Sequence, residues 1–181
     1  MNAKDIRIYL ILVGKELESM GLREPIRLLM IGGGYMLTQV KNRNVTGDID
    51  TVWVYPAFRA DSEVYWLFEA AVLAIAKREM LGPDWLNVTG SGFVHEAGPL
   101  PKMKFWKKFG LVHVYFPPKD FVLAHKFAAG RVKDIADIEA LCIQLRINTR
   151  EKAKKIVDKY INQEVQRIGH IAEKLDNYFK K

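Results

Sequence analysis

Cysteine and long apolar runs are what this chain of 181 residues has least of. Cys142 stands alone, so it cannot form an internal disulfide bond, and its apolar neighbours predict a buried thiol that does not act as a nucleophile. A single cysteine also favours a reducing compartment, so we expect a cytoplasmic protein. No stretch approaches the ~18 consecutive apolar residues of a membrane-spanning helix. The apolar patch from Ile8 to Val13 is followed by charged residues, which predicts an amphipathic helix and neither a signal peptide nor a membrane segment.

Two well-known phosphate-binding motifs are also missing. The chain has no Gly-Lys-Ser/Thr sequence, which excludes a Walker loop, and Leu37 stands where the dinucleotide-binding fingerprint needs its third glycine. The chain has instead three consecutive glycines, Gly32 to Gly34, directly after the apolar run from Ile26 to Ile31. Such a turn allows a helix to pack closely on a strand, or lets phosphate oxygens approach backbone N–H groups.

Charge is spread unevenly along the chain, whose net charge is +7. Residues 101–181 hold 18 of the 28 basic residues and 9 of the 21 acidic residues, which gives that part +9 and leaves −2 for the first hundred residues. This distribution suits an anionic partner such as a nucleotide or RNA. A lysine-rich helical surface in contact with water gives the same composition, so charge does not decide between the two.

The hydrophobic pattern predicts an α/β part over residues 1–117 and a helical part over residues 118–181. Helices are predicted over about 4–20, 35–40, 62–81, 120–129 and 132–145, with two more towards the C-terminus. Strands are predicted over 26–31 and 48–55, and a hairpin over 104–108 and 111–116. Residues 83–101 are predicted to be mostly irregular, with one short strand. The basic and aromatic stretch at 102–108 is typical either of an edge strand protected by lysines or of a surface that binds nucleic acid.

Two aspartates open the predicted strand over residues 48–55. Because side chains alternate across a strand, Asp48 and Asp50 point the same way, about 7 Å apart along it. Paired carboxylates can chelate Mg²⁺ through hard oxygen ligands, although exposed strand faces often carry acids for no such reason. The glycine turn upstream favours the first interpretation, because a metal site and a phosphate site together indicate a nucleoside triphosphate.

These residues carry a family resemblance. Ile31-Gly32-Gly33 followed by Arg43-x-x-Thr46-x-Asp48-Ile49-Asp50 resembles the core motif of the DNA polymerase β-type nucleotidyltransferase superfamily, and most closely its minimal branch, which includes AbiEii-like toxin nucleotidyltransferases. Residues 123–141 are similar to the helical segment with Lys, Arg, Lys/Arg-Asp and Asp-Ile that follows the core there. The resemblance implies an α+β nucleotidyltransferase-like fold, with a mixed β-sheet core flanked by helices and a C-terminal helical region packed on that core.

The resemblance also implies roles for individual residues. Gly32 and Gly33 would hold the triphosphate. Asp48 and Asp50 would coordinate Mg²⁺ or Mn²⁺, which bridges the phosphates and activates the attacking group. Lys126 would contact phosphate as a point charge.

Other matched positions have less defined roles. Arg43 and Thr46 match the loop that leads into the metal strand and would bind nucleotide or fix the loop, while Thr46 alone is also compatible with a simple turn. Asp134 and Asp137 share one helix face, and would pair with Lys126 or Arg131 or hold the nucleotide or the acceptor. The alternative for both aspartates is an ordinary salt-bridge cluster on the surface.

One departure from the family concerns a third carboxylate, which many members carry on a later core strand between apolar residues. The nearest candidates are His113, in Val112-His113-Val114, and Glu96, in Val94-His95-Glu96. Without a third acid, two-metal catalysis is weakened. His113 would then act as a base or a ligand, or it is a structural histidine, half-buried on its strand.

The function that this reasoning predicts is transfer of a nucleoside monophosphate from a nucleoside triphosphate, such as ATP, to a hydroxyl. The resemblance implies RNA as the acceptor, with tRNA 3′ ends as the first guess, and a toxin with a cognate antitoxin as the context, while the sequence itself does not choose between RNA, protein and small-molecule acceptors. The alternative is a catalytically degenerate member of the same fold that binds nucleotide or RNA. A third alternative is a structural partner that uses the basic helical part to hold another macromolecule.

Overall fold

The computed structural model of this protein describes residues 1–57 and 59–180. The chain folds as two compact units. The first, which we call the sheet unit, comprises Met1–Ser91 and Met103–Phe116, and the second, the helical unit, comprises Gly92–Lys102 and Pro117–Lys181. The predicted division after residue 117 lies one residue from the boundary after Phe116, where the chain passes for the last time from the sheet unit to the helical unit. No pattern in the sequence predicted that the segment at 92–102 belongs with the C-terminal helices.

The sheet unit carries the glycine turn and the aspartate strand. Its elements are α1 (Ala3–Ser19), β1 (Ile26–Met30), α2 (Gly32–Tyr35) with a π-helical continuation (Met36–Val40), β2 (Ile49–Tyr55), α3 (Glu63–Glu79), β3 (Leu86–Asn87), β4 (Lys104–Phe109) and β5 (Val112–Phe116). The predicted helices, strands and hairpin of this part are confirmed to within about three residues at most ends. The main difference is the second helix, which begins at Gly32 inside the glycine run and not at residue 35.

The five strands form one mixed sheet in the order β3-β2-β1-β5-β4. The central strand β1 runs antiparallel to β2 and parallel to β5, while β3 is parallel to β2 and β4 is antiparallel to β5. Helix α1 packs on β4 and β5, and α2 packs on β2. The α+β class with a mixed sheet flanked by helices is therefore confirmed, whereas a nucleotidyltransferase fold stays a prediction.

The sheet order places the start of β2 beside the end of β1. Met30, the last residue of β1, pairs with Thr51, the third residue of β2. The glycine turn that follows β1 and the aspartates at the start of β2 therefore lie at the same edge of the sheet. At the opposite side of the sheet, β4 is an edge strand with Lys104, Lys107 and Lys108 exposed, which confirms the edge-strand interpretation of that basic stretch.

The helical unit departs from the predictions at several points. Its elements are α4 (Ser91–Ala97, which starts on the last residue of the sheet unit), α5 (Lys119–Ala129), a 3-10 turn (Val132–Asp134), α6 (Ile135–Leu145), α7 (Arg150–Tyr160), α8 (Gln163–Ile168) and α9 (Ile171–Phe179). Helix α4 falls in the region predicted to be mostly irregular, because seven residues are too few to establish a helical period. The predicted last helix is broken between α8 and α9, where His170 adopts a left-handed conformation with φ 50°.

Two further expectations concern burial and the membrane. Cys142 is buried, which confirms the prediction of a buried thiol, and this burial raises the pKa of the thiol to about 11. Among residues 1–57 and 59–180, no helix combines the length and the apolar character that a membrane crossing requires.

Candidate functional site

The glycine turn lies directly against the second aspartate. The Ile31 amide donates a hydrogen bond of 2.9 Å to the carbonyl oxygen of Asp50, which fixes the end of β1 on the start of β2. Gly32 has φ +56°, and a methyl group on it would overlap the Asp50 carboxylate at Oδ2. The position therefore requires glycine both for its backbone conformation and for the space beside the carboxylate.

The next glycine faces the loop that precedes β2. A methyl group on Gly33 would overlap the Thr46 hydroxyl and would lie 3.5 Å from the Arg43 guanidinium. Thr46 is buried, and its hydroxyl donates a hydrogen bond of 3.0 Å to the carbonyl oxygen of Asp48. The Thr46 backbone is bonded on both sides to Met1, whose ammonium donates to the Thr46 carbonyl at 2.7 Å and whose carbonyl accepts from the Thr46 amide at 2.9 Å. The turn and the loop thus form one packed cluster of predicted site residues.

The two aspartates have different settings. Both side chains are half-buried, but Asp50 lies on β2 and Asp48 lies one residue before the strand begins. The predicted strand therefore starts one residue too early. Asp48 lies outside the strand, and its carbonyl oxygen accepts the hydrogen bond from the Thr46 hydroxyl.

Sequence reasoning missed Asn87, which is the nearest polar neighbour of Asp50 on the adjoining strand. Asn87 pairs with Asp50 in the parallel register of β3 and β2, and its amide nitrogen lies 3.3 Å from Asp50 Oδ1. Its amide oxygen accepts from the Thr89 hydroxyl at 2.7 Å, which orients the amide. A signal was present, because Leu86-Asn87-Val88 has the apolar-polar-apolar pattern expected for the third carboxylate. The pattern was overlooked because its central residue is an amide and not an acid.

Neither predicted third group joins the aspartates. Among the residues that the structure describes, no three His, Cys, Asp or Glu side chains lie close enough together to hold a metal ion. His113 lies on β5 opposite Arg27 and Lys108, and its buried Nε2 has no hydrogen-bond partner there. Burial, and then the charges of Lys108 and Arg27, lower the pKa of His113, so the ring is neutral at pH 7. Glu96 is exposed on α4, in the helical unit.

The side chains around Asp50 nevertheless suit a single Mg²⁺ ion. This ion takes one or two carboxylates from the protein and completes its shell with water and phosphate oxygens. Asp48 and Asp50 supply hard oxygen ligands of this kind. The absence of a side chain on Gly32 lets the Asp50 carboxylate lie directly against the turn with its Oδ2, while Asn87 is hydrogen-bonded to the other oxygen.

A basic groove of about 540 Å³ opens beside this cluster in the sheet unit. Its cationic lining residues are Lys4, Arg7, Lys41 and Arg43, and no acidic side chain of the described chain lines it. Trp106 lines it as well, with the Arg7 guanidinium 6.0 Å from the centre of its ring. Since Arg43 is also the neighbour of Gly33, one end of the groove meets the glycine turn. Its composition suits a phosphate chain with a base that stacks on the tryptophan.

The predicted residues of the C-terminal motif form a cluster of their own in the helical unit. The Lys126 ammonium donates to Asp134 Oδ1 and to Asp137 Oδ2, each at 2.7 Å, and Arg131 donates to Asp134 Oδ2 at 2.7 Å. The side chains of Lys126 and both aspartates are only 2–7% exposed. The predicted pairing is thus confirmed, and the alternative of a surface cluster is wrong.

The same contacts set the ionisation of the cluster. Burial by itself raises the pKa of Asp134, but the hydrogen bonds and charges of Arg131 and Lys126 outweigh it and hold the pKa below its ordinary value. The Lys126 ammonium donates two of its three N–H groups to the carboxylates and is buried, so one N–H group is left for a phosphate. That contact stays a prediction.

No family model, no curated protein and no solved structure matches this chain. The resemblance to nucleotidyltransferases therefore depends on the two motifs and on the packing of their residues.

Proposed function

We propose that this protein is a Mg²⁺-dependent nucleotidyltransferase, which transfers a nucleoside monophosphate from a nucleoside triphosphate to a hydroxyl group. The proposal depends mainly on one observation, the packing of Gly32 against the Asp50 carboxylate and of Gly33 against Thr46. A turn that must stay free of side chains beside a carboxylate suits a phosphate group and a cation held together. The two glycines let the Asp50 carboxylate and the Thr46 hydroxyl lie directly against the start of the helix.

The proposal assigns each residue of the cluster a task. Asp48 and Asp50 would hold Mg²⁺ or Mn²⁺, which when bound polarises the phosphate and lowers the pKa of the acceptor hydroxyl. Asn87 donates to Asp50 Oδ1 and so orients the carboxylate. Arg43 offers positive charge next to the glycine turn, where a phosphate oxygen would lie. Thr46 fixes the loop that carries Asp48.

The cluster around Lys126 supports the fold of the helical unit in this proposal. Lys126 is a positioning residue that ties the end of α5 to the 3-10 turn and the start of α6. The charges of Lys126, Arg131, Asp134 and Asp137 balance within the cluster.

The test is incorporation of label from an α-labelled nucleoside triphosphate, with Mg²⁺ present and with tRNA, total RNA or protein as the acceptor. We expect Asp48→Ala and Asp50→Ala each to lower the rate about a hundredfold or more, because the cation supplies several kcal/mol of transition-state stabilisation. Asp61→Ala is the matched control, since this exposed carboxylate pairs with exposed Arg59 and its loss should change the rate little. A double variant at positions 48 and 50 that labels the acceptor as well as the wild type does would contradict the proposal.

A second candidate function is nucleotide or RNA binding without turnover. Two observations favour it: the described chain has no group of three metal-binding side chains, and an amide, Asn87, occupies the position beside Asp50. The basic groove gives such a protein a surface for RNA. The two functions differ in a single result, because titration calorimetry with a nucleoside triphosphate and Mg²⁺ would show binding in both, whereas labelling would occur only in the first.

The groove makes RNA the acceptor or ligand to test first. We expect Arg7→Glu with Lys41→Glu to weaken binding of a single-stranded RNA at least tenfold and to reduce the slope of log affinity against log salt by about 1.4, or about 0.7 for each lost phosphate contact. Lys15→Glu is the control, because this exposed lysine lies on α1 like Arg7 but outside the groove. Equal losses in the two variants would show that RNA binds elsewhere, by overall charge. The toxin–antitoxin context stays a prediction from the resemblance.

A further inference from the structure

The two faces of the sheet differ in what covers them. On the inner face, Val112, Val114 and Phe116 of β5 are buried. The Trp106 ring packs 4.8 Å from the Phe116 ring and also meets Arg7 of α1, so α1 lies on this side. The opposite face carries half-buried and exposed side chains from four neighbouring strands of the sheet unit. We call it the open face, and we define it by Tyr55 of β2, Arg27 of β1, His113 and Tyr115 of β5, and Phe105 and Lys108 of β4.

Flat rings make up much of the open face. Phe105 and Tyr55 are 51% and 44% exposed, although large aromatic side chains are mostly well buried. The centre of the Phe105 ring lies 5.4 Å from that of Tyr115 and 6.3 Å from that of His113. On the β2 side, the Arg27 guanidinium lies 4.9 Å from the centre of the Tyr55 ring. Exposed rings of this kind provide stacking surfaces for a planar ligand.

The charged groups of the open face are basic. Arg27, His113 and Lys108 lie side by side on three neighbouring strands. Within residues 1–57 and 59–180, neither Arg27 nor Lys108 is paired with a carboxylate. Residues of opposite charge would stabilise a sheet face that contacts only water. Two unpaired cations about 10 Å apart, at about 4.8 Å for each strand interval, suit an extended anion instead.

Two irregularities in the strand pairing bring residues onto the open face. The register of β4 and β5 shifts at position 106, which sets Lys108 opposite His113. The register of β1 and β2 also shifts, which sets Tyr55 opposite Arg27. With regular alternation, Lys108 and Tyr55 would point to the inner face. Such bulges are often found where a side chain is directed towards a binding site.

We propose that the open face binds single-stranded nucleic acid. Bases stack on the exposed rings of Phe105 and Tyr55, and the cations of Arg27 and Lys108 contact phosphates. Aromatic side chains on a four-stranded sheet are a known platform for unpaired bases, since every base has a flat face. A double helix keeps the faces of its bases inside the stack, so it would meet the cations but not the rings.

The inference goes beyond the proposed function, because no residue of the open face lines the basic groove or belongs to the aspartate cluster. On β4 the two surfaces are adjacent in sequence. Trp106 lines the groove, whereas Phe105 points to the open face. We therefore expect a variant of the open face to bind a nucleoside triphosphate like the wild type, so that the two proposals can fail separately.

The first test is fluorescence anisotropy of a labelled oligouridine. We expect Phe105→Ala to weaken its binding about tenfold, because one stacking surface is lost, and Phe105→Tyr to keep the wild-type affinity. Trp66→Ala is the control, since Trp66 is an exposed aromatic residue on α3 of the same unit. Wild-type affinity in Phe105→Ala, with a loss only in the groove variant R7E/K41E, would overturn the inference.

The second test compares oligouridine with inorganic polyphosphate, which has the charge but no bases. Lys108→Gln should weaken both ligands, and for oligouridine it should reduce the slope of log affinity against log salt by about 0.7. Phe105→Ala should weaken oligouridine alone. Lys15→Gln, at an exposed lysine of α1, is the control for charge and should change neither affinity. Equal effects of Phe105→Ala on both ligands would contradict base stacking.

Analytical ultracentrifugation of the wild type separates this inference from self-association. We expect the protein without nucleic acid to sediment identically before and after Phe105→Ala. A wild-type dimer that Phe105→Ala dissociates would assign the open face to a second copy of the chain and would overturn the inference.

Discussion

Gly32 is distinguished from other glycines of the sheet unit by what a side chain would meet there. A methyl group on Gly32 would overlap the Asp50 carboxylate, whereas a methyl group on Gly47 would have no neighbour within 4 Å. Gly32 also has a positive φ, which L-residues rarely adopt. Gly32 lies against Asp50 in space, and Gly47 directly precedes Asp48 in sequence, so the two glycines form a matched pair for substitution.

We expect Gly32→Ala to destabilise the protein by about 1 to 3 kcal/mol, because the new methyl group is strained by φ and displaces the Asp50 carboxylate. Calorimetry should show loss of nucleoside triphosphate binding in the same variant. Gly47→Ala should bind nucleotide like the wild type and change the free energy of unfolding by less than about 1 kcal/mol. Urea unfolding followed by tryptophan fluorescence supplies the stability values. Equal stability and equal nucleotide binding of the two variants would show that Gly32 has no special role.

At the scale of the elements, the helical unit depends on a buried charge cluster between α5 and α6. We expect Lys126→Met to destabilise this unit by about 3 to 5 kcal/mol, because Asp134 and Asp137 both lose the ammonium that donates to them, although Asp134 keeps its ion pair with Arg131. Lys133→Met is the control, since Lys133 is exposed on the neighbouring 3-10 turn. The measurement is urea unfolding followed by far-ultraviolet circular dichroism. A loss no larger than that of the control would show that the cluster contributes little.

The same cluster predicts a pH dependence with a defined sign. Because the folded state lowers the pKa of Asp134 below its ordinary value of 3.8, the folded state favours the ionised carboxylate. The contribution of Asp134 to stability is therefore complete at neutral pH, begins to fall as the pH drops through the ordinary value, and disappears below the lowered pKa. Asp134→Asn lacks this titration, so the stability difference between wild type and variant should shrink as the solution becomes acidic. A difference that does not change with pH would contradict the assignment.

At the scale of the whole molecule, the two compact units differ less in net charge than the two halves of the sequence do. The sheet unit holds 13 basic and 11 acidic residues, a net +2, and the helical unit holds 15 basic and 10 acidic residues, a net +5. Residues 1–100 and 101–181 have net charges of −2 and +9, so the difference between them is much larger. The hairpin that carries Lys104, Lys107 and Lys108 returns to the sheet unit, and Glu96 goes to the helical unit. The basic groove of the sheet unit therefore lies on a unit that is basic overall.

The two units also differ in their spectroscopic signals. All four tryptophans lie in the sheet unit, at positions 53, 66, 85 and 106, whereas much of the helix lies in the helical unit. We expect Lys126→Met to lower the unfolding midpoint measured by circular dichroism more than the midpoint measured by tryptophan fluorescence, because the lost ion pairs belong to the helical unit. Lys133→Met should move neither midpoint. Identical shifts by both probes would show that the units unfold as one cooperative structure.

Much of the local structure was predictable because it depends on short-range patterns. The stripe of Ile6, Leu10, Val13 and Leu17 predicted α1, and all four side chains are buried. Ser62 was one of two predicted caps of α3, and its side chain accepts from the Tyr65 amide. The second helix was misplaced because three glycines suggest a turn, whereas here they form the first turn of a helix that lies against Asp50 and Thr46.

The candidate site was predictable in part for the same reason. The spacing of Gly32, Gly33, Arg43, Thr46 and Asp50 was read from the chain, and the structure brings these residues together. Asn87 was not predicted, because its pairing with Asp50 joins residues that are 37 positions apart, and only the strand order shows which apolar-polar-apolar segment lies beside Asp50. His113 has a suitable pattern, but the sheet order sets β5 beside Arg27 and not beside the aspartates.

The sequence alone determined most of the helices and strands, the single-cysteine chemistry and the motif that unites a glycine turn with two carboxylates. These features depend on residues that are close to one another in sequence. The energies of such local interactions do not depend on how the rest of the chain packs. Tertiary structure alone decided the strand order, the amide beside Asp50, the transfer of residues 92–102 to the helical unit and the burial of Lys126 between two carboxylates. Each of these depends on contacts between distant segments or on exclusion of water, and both are set only when the whole chain packs.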